Sequence, residues 1–434
     1  MDPLSNTNAA ASERELTGAI LQTANRLQGE MTAALQQLVR IPSLTGEEAA
    51  VQDAVESMMH RFGLSVDRWE PDAAELAPFE EHVGAFETLA GRPNVVGAWP
   101  GAGGGRSLIL NAHIDTVETG DPALWTHDPF GGVIDEGRVY GRGACDMKAG
   151  LVANLFAVRI LQELGYRPLG DVIVESVISE EDGGAGTLAT ILRGYRADAA
   201  IISEPTRLAI VPAQGGSLVF RIHVTGRSAH AAVRDEGVSA IEKAWVIHQA
   251  LLEYERERNA TLTHPLYAPI ANKIPINIGN IRAGTWPSSV PEFAVMEGRA
   301  GLVPGEDLQA FKAAFAARIE QAAAGDPWLA AHPPRLEWFS GQFAPADVPL
   351  DAPIIGTVRA SHLAVTGVTP PIEAVTYGAD MRHFIHQGGM PCVMYGPGDV
   401  RLAHYTDEFV PIAELVTAAA TLARTISAWC GITR

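Results

Sequence analysis

An α/β fold is predicted for this 434-residue chain on two observations. Short apolar runs alternate with helical patterns through the first half, the mark of a mostly parallel sheet flanked by helices. That alternation is then interrupted by one block of strand–helix–strand–strand–helix–strand order before it resumes, and a βαββαβ order is the ferredoxin-like α+β unit. The expected organisation is one large α/β domain from residues 1–212 and 343–434, with an inserted domain at residues 213–342. The length suits two domains.

Apolar spacing predicts helices over Ser12–Val39 and Gly46–Phe62. Thr45-Gly-Glu-Glu48 reads as a capping box opening the second, and Gly63 as its stop. Strands are expected at Asn94–Ala98, Ser107–Ala112, Val172–Ser179 and Ala199–Ile202, with helices at Lys148–Leu164 and Gly186–Gly194. The inserted block takes strands Gly216–Thr225, Pro275–Ala283, Glu292–Gly301 and Arg335–Phe339, with helices Val238–Glu255 and Glu306–Ala324. A helix near Ile354–Thr366, a strand at Cys392–Tyr395 and a helix at Ile412–Trp429 complete the large domain. The run Gly101-Ala-Gly-Gly-Gly105 lacks the Gly-Lys-Ser/Thr ending of a phosphate loop and reads as a turn between strands.

Composition narrows the function. Apolar residues make up 47% and charged residues 19%, a globular balance. The net charge of −19 repels phosphate backbones and excludes nucleic acid as a natural partner. Cys145, Cys392 and Cys430 are too few and too scattered for a disulfide framework or a cysteine zinc site, so a reducing cytoplasm is expected. The first residues carry neither a basic start nor an apolar stretch, and no apolar run approaches the length of a membrane span.

The chemistry gathers at predicted strand ends. Leu108-Ile-Leu-Asn-Ala-His113-Ile-Asp115 ends an apolar strand in His-x-Asp. Alternate strand residues share a face, so His113 can bind a metal while Asp115 orients its ring; a satisfied structural pair is the competing reading. In Tyr140-Gly-Arg-Gly-Ala-Cys-Asp146-Met-Lys, glycines crowd one aspartate ahead of a helix. Asp146 either caps that helix or bridges two cations about 3.5–4 Å apart. Glu180-Glu181-Asp182 is either a solvated acidic turn or a pair of roles, with Glu181 a metal ligand and Glu180 a base. Ser203-Glu204-Pro205 ends another strand with an acid, and Arg401-Leu-Ala-His404 offers a late histidine. Two histidines and three carboxylates suit zinc, with cobalt or manganese as alternatives.

Taken together and in order, His113-x-Asp115, Gly-Arg-Gly-x-x-Asp146-Met-Lys, Glu180-Glu181, Ser-Glu204-Pro and His404 resemble the zinc deacylase and peptidase family that includes acetylornithine deacetylase, succinyl-diaminopimelate desuccinylase, aminoacylase and carboxypeptidase G. The resemblance covers nearly the whole chain. It implies two divalent ions bridged by Asp146, one completed by Glu181 and His404 and the other by His113 and Glu204, with Glu180 as general base. It implies a homodimer through the inserted domain, which also serves as a lid. Gly226-Arg-Ser-Ala-His230 matches the stretch that sends a histidine into the partner's site. Arg299 matches an arginine that grips a substrate carboxylate, and Gly378-Ala-Asp380-Met-Arg382 a glycine-rich binding loop, giving Gly378 and Arg382 as substrate contacts. Trp286-Pro-Ser288-Ser289-Val-Pro291 departs from the family, many members having an asparagine there; Ser288 is the candidate contact in that stretch.

The function these features imply is hydrolysis of the amide bond of a small N-acylated amino acid or amine. Alternatives are a metallo-carboxypeptidase or dipeptidase, and a deformylase of an aminopyrimidine-type amine, which the Trp286–Pro291 stretch resembles. A non-catalytic binding protein on the same fold would be expected to lack a ligand or the base, and a cocatalytic aminopeptidase to lack the inserted block.

Overall fold

The computed structural model describes residues 3–434, with side chains from residue 13 onward. Its larger sheet has nine strands. The centre is parallel: Val172–Val177, Leu108–His113, Ala200–Ile202 and Cys392–Met394 lie side by side in that order. Antiparallel strands extend both margins, Asn94–Trp99 and Ser65–Trp69 on one side and Ile210–Gln214 with Ala346–Asp347 on the other. Ile372–Val375 joins Ile210–Gln214 in parallel. The central strands are buried at every position, as strands enclosed by helices must be. Helices Pro3–Val39, Ala149–Glu163, Pro353–Thr366 and Ile412–Trp429 pack on one another over this core. Among the described residues, no helix is long and apolar enough to cross a membrane.

The central strands and most of the main helices lie where the apolar pattern puts them, within a few residues at each end, but the first helix starts at Pro3 rather than Ser12 and the helix expected to end at Glu255 runs on to Thr261. The start of the second helix differs too. It begins at Ala49 rather than Gly46, and no capping box forms. The Thr45 hydroxyl instead donates to the Asp115 carboxylate at 3.0 Å, and Glu48 is buried against Arg92, 2.6 Å away. Glu48 still accepts one amide, that of Gly46 at 3.0 Å rather than that of Thr45, while the Thr45 hydroxyl is turned to a charged partner, so the reciprocal pair of a capping box does not close. The glycine-rich turn does join two strands, but it is closely packed. A Cβ on Gly105 would fall 1.9 Å from the Cys430 carbonyl, so only glycine lets the turn meet the C-terminal segment.

A second, antiparallel sheet contains Ile276–Ala283, Phe293–Leu302, Gly216–Thr225 and Arg335–Trp338 in that order. Burial alternates strictly along Gly216–Thr225, the period of a sheet with one face covered. Helices Ala240–Thr261 and Leu308–Ala324 cover that face, capped by Ser239 and Asp307. Their shared cluster centres on Phe315, whose ring meets Phe220, Phe311, Tyr254 and Trp338. The chain enters this sheet directly from Gln214 and leaves it beside the same point: Ser217 and Phe343 exchange both backbone hydrogen bonds, and Ala346 pairs with Gln214. Replacing Phe315 by Ala should cost about 3–5 kcal/mol of stability, read as a lowered denaturant midpoint; a loss below 1 kcal/mol would show that the ring cluster is not the centre of this unit.

Candidate active site

The parallel register builds the site. His113 ends its strand opposite Val177, and the Glu180–Glu181 turn follows the neighbouring strand. Asn111 pairs with Ile202 on the other side, so Glu204 emerges from the next strand end. Three adjacent strands thus deliver their acidic or imidazole side chains to one edge, the carboxyl edge where α/β sheets place ligands. Asp146 comes from the turn before helix Ala149–Glu163, and its peptide bond to Met147 is cis. A Cβ on Gly150 would lie 2.1 Å from the Ser203 carbonyl, so that glycine is what allows the Asp146 turn to sit against the Glu204 strand.

Two triads of potential donor atoms result, His113–Asp146–Glu204 and Asp146–Glu181–His404, each with its ligand atoms within 4.8 Å of one another. Asp146 belongs to both. Its Oδ1 lies 3.0 Å from His113 Nε2, and its Oδ2 lies 3.6 Å from His404 Nε2, which also meets Glu181 at 3.0 Å. Asp146 therefore does not cap the helix, and Glu180-Glu181 is not a solvated turn, since Glu180 is buried. The set fits divalent cations by its chemistry: nitrogen and oxygen donors, strongly acidic, with the Glu204 carboxylate buried and given no hydrogen bond among the described residues.

Asp115 positions more than His113. Its main-chain carbonyl is 3.0 Å from His113 Nδ1, with the carboxylate slightly farther at 3.5 Å. The carboxylate accepts the N–H groups of Glu180 and Glu181 at 3.1 and 3.2 Å, besides the Thr45 hydroxyl. One buried aspartate thus ties the His113 strand end to the neighbouring glutamate turn. The Glu180 carboxylate has no hydrogen-bond partner among the described residues. Burial pushes its proton affinity well above the usual carboxylate range, and the charges of Asp380, Glu204 and Glu181 add to this. Burial and the charge of Asp146 raise Glu204 to about 8. The hydrogen bond to Glu181 raises His404 to about 9.

The remaining candidates fall into two groups. Arg299 lies near where the two sheets join: its Nη2 donates to the Thr376 carbonyl at 3.2 Å, and no carboxylate pairs with it among the described residues, while Gly378 packs against Phe343, whose side chain a Cβ there would meet at 2.6 Å. Arg382 is placed differently from a substrate contact. It is 1% exposed, stacks at 3.7 Å over Phe343, and donates to the carbonyls of Ala379 and Gly183. It braces the turn that follows Glu180-Glu181. His230 and Ser288 form the other group. Both are exposed on the second sheet's unit, where Ala231 N–H donates to the Ser288 carbonyl at 2.9 Å, and no bond among the described residues links either to the triads. Residues without a sequence signal also shape the site: Arg92 bridges Glu48 and Ser179, and Arg142 and Glu408 form a buried pair beneath Asp146.

Similarity to known proteins agrees with this geometry. The chain is 31% identical over 403 residues to N-formyl-4-amino-5-aminomethyl-2-methylpyrimidine deformylase of Bacillus subtilis (strain 168), covering 88% of this chain and 89% of that one. It is 30% identical over 347 residues to acetylornithine deacetylase of Myxococcus xanthus, covering 78% and 84%. A Bacillus subtilis structure described as a dinuclear metal binding peptidase from M20 family shares the fold, with a TM-score of 0.62, 16% identity and coverage of 94% and 99%. Fold and likeness define a hydrolase acting on amide bonds. The chain belongs to Peptidase family M20/M25/M40, whose model matches residues 109–428.

The Glu204 shift has a measurable consequence. A folded carboxyl that holds its proton to about 8, against 4.5 for the ordinary group, binds more protons folded than unfolded between those values. Its ionisation therefore lowers stability as pH rises through that window. With chelator present, Glu204→Gln should become progressively more stable than wild type from about pH 5 to about pH 8, measured by thermal melts; a pH-independent difference would contradict the burial argument.

Proposed function

We propose that this protein hydrolyses the amide bond of a small N-acylated amine, releasing formate or another short carboxylate, with two divalent ions held by the triads that share Asp146. The carrying observation is that sharing, with the unpaired Glu180 carboxylate set beside it. Bound there, zinc, cobalt or manganese ions would polarise the acyl carbonyl and acidify the attacking water. Glu180 takes a proton from that water on its carboxylate and returns it to the departing amine nitrogen. Its burial favours this: the group must hold a proton between the two transfers, and a desolvated carboxyl does so readily. Asp115 keeps His113 and the Glu180 turn in register throughout.

Likeness to the deformylase makes an N-formylated aminopyrimidine-type amine the first substrate to test. Arg299, which has no carboxylate partner among the described residues, favours the second reading, an N-acyl amino acid, because a guanidinium suits a substrate carboxylate. Peptidase action on dipeptides is the third.

Residues 213–342 are assigned as an inserted ferredoxin-like domain that closes over substrate and joins two copies of the chain. Edge strand Ile276–Ala283 and helix Ala240–Thr261 present an apolar groove lined by Ile241, Trp245, Ile281 and Met296, with Trp245 60% and Ile281 54% exposed. A second copy is the occupant assigned to it. His230, exposed in the isolated chain, would then reach the other copy's site and donate to the developing oxyanion. Three buried, unpaired cysteines accord with a cytoplasmic setting.

A zinc-loaded preparation should hydrolyse at least one of N-formyl, N-acetyl and N-succinyl amines and lose that activity to a chelator; cleavage of dipeptides alone would overturn the deacylase reading. Glu180→Gln should retain metal and lose turnover by about 10²–10⁴-fold; near-normal turnover refutes its role. His230→Ala should be folded and nearly inactive, and mixing it with Glu180→Gln subunits should restore part of the activity. An unrestored mixture would show that each copy works alone.

A further inference from the structure

The proposed chemistry leaves Glu408 unused, yet this residue is buried and every contact of its carboxylate is directed. Oε1 accepts the N–H of Cys145 at 2.9 Å and of Asp146 at 3.1 Å, and Oε2 accepts Arg142 Nη1 at 2.6 Å. Its own carbonyl accepts Gly141 N–H at 2.9 Å. The main chain entering Asp146 is thus suspended from Glu408. Four residues earlier stands His404, in a left-handed conformation with φ of 60°, and its Nε2 reaches Glu181 and the other oxygen of Asp146. Two donors distant in sequence are therefore tethered to one side chain, Asp146 through its amide and His404 through a loop of three residues.

A buried carboxylate–guanidinium pair repays its desolvation poorly as a source of stability. Its value lies in geometry: amide hydrogen bonds to a charged acceptor are short and directional. We propose that Glu408 is a positioning residue that fixes Asp146 against His404, so that the Asp146–Glu181–His404 donors stand at ion-binding spacing before an ion arrives. The inference rests on the triads being metal sites and deepens that reading. Partners that orient metal ligands typically change affinity by about 10–100-fold when removed.

The test is titration of chelator-stripped, full-length protein with cobalt(II), followed by calorimetry and by the visible absorption of the bound ion. Glu408→Gln should bind at least one equivalent about 10–100-fold more weakly than wild type, with an altered spectrum. Thr126→Val is the control: it removes the hydroxyl contact to Asp407 in the same loop and leaves Asp146 untouched, so its cobalt affinity should stay near wild type. A folded Glu408→Gln with wild-type affinity and spectrum overturns the proposal. So does an equal loss in Thr126→Val, which would reduce the effect to loop stability. Should Glu408→Gln fail to fold, Glu408→Asp, which keeps the charge beside Arg142 but withdraws it from the two amides, is judged by the same criteria. Absence of cobalt uptake by wild type would overturn the metal reading itself, whereas uptake of two equivalents with no change in the variants overturns only the role of Glu408.

Discussion

Asp115, Asp146, Glu180, Glu181 and Glu204 converge at one sheet edge, with the imidazoles of His113 and His404 set among them. Like charges in a desolvated place oppose one another, and the protein answers in graded ways. Asp115 is satisfied outright by amides and a hydroxyl. Asp146 and Glu181 lean on histidines. Glu180 and Glu204 are left to carry protons or to await positive charge. The surrounding architecture can be read as what keeps this unfavourable assembly from relaxing outward.

Parallel pairing supplies most of that restraint. Because neighbouring strands run in the same direction, their ends share one rim, and register alone sets which residues face one another there. The turns leaving that rim are then bolted to each other rather than to solvent. Arg382 grips the carbonyl of Gly183 from beneath, and Arg92 holds Ser179, so the acidic turn is gripped by a guanidinium on each side. Each bolt is a charged or directional contact in a buried setting, where such contacts act most strongly.

Elements with strong periodicity were legible from residues alone. The buried strand Leu108–His113, the helix Ile412–Trp429 and the alternating strand Gly216–Thr225 each carry a pattern long enough to identify. The strands Ser65–Trp69 and Val133–Asp135 have no fully buried position, so no apolar run or alternation marks them. His113, Glu181 and Glu204 stand at or just past apolar strand ends and Asp146 beside glycines, whereas His404 carries no such mark and was legible only through the family resemblance. Glu408, Arg142 and Arg92 were not legible, since an arginine or glutamate in a loop has no local mark that it will be buried; only the tertiary partner reveals it. Thr45 and Glu48 misled for the related reason that a sound local motif lost to distant charges. Arg382 matched a binding-loop pattern, yet its burial makes it a brace.

The hydrogen-bonded crossing at Ser217 and Phe343 has a consequence for how such a chain can vary. The two points at which the main chain departs from and rejoins the larger sheet are direct neighbours, so the intervening stretch hangs on a stem no wider than a hairpin. Segments grafted at such a stem can be traded for others of unrelated length without rerouting the host, which makes the larger sheet and the unit carried on the stem separately replaceable parts.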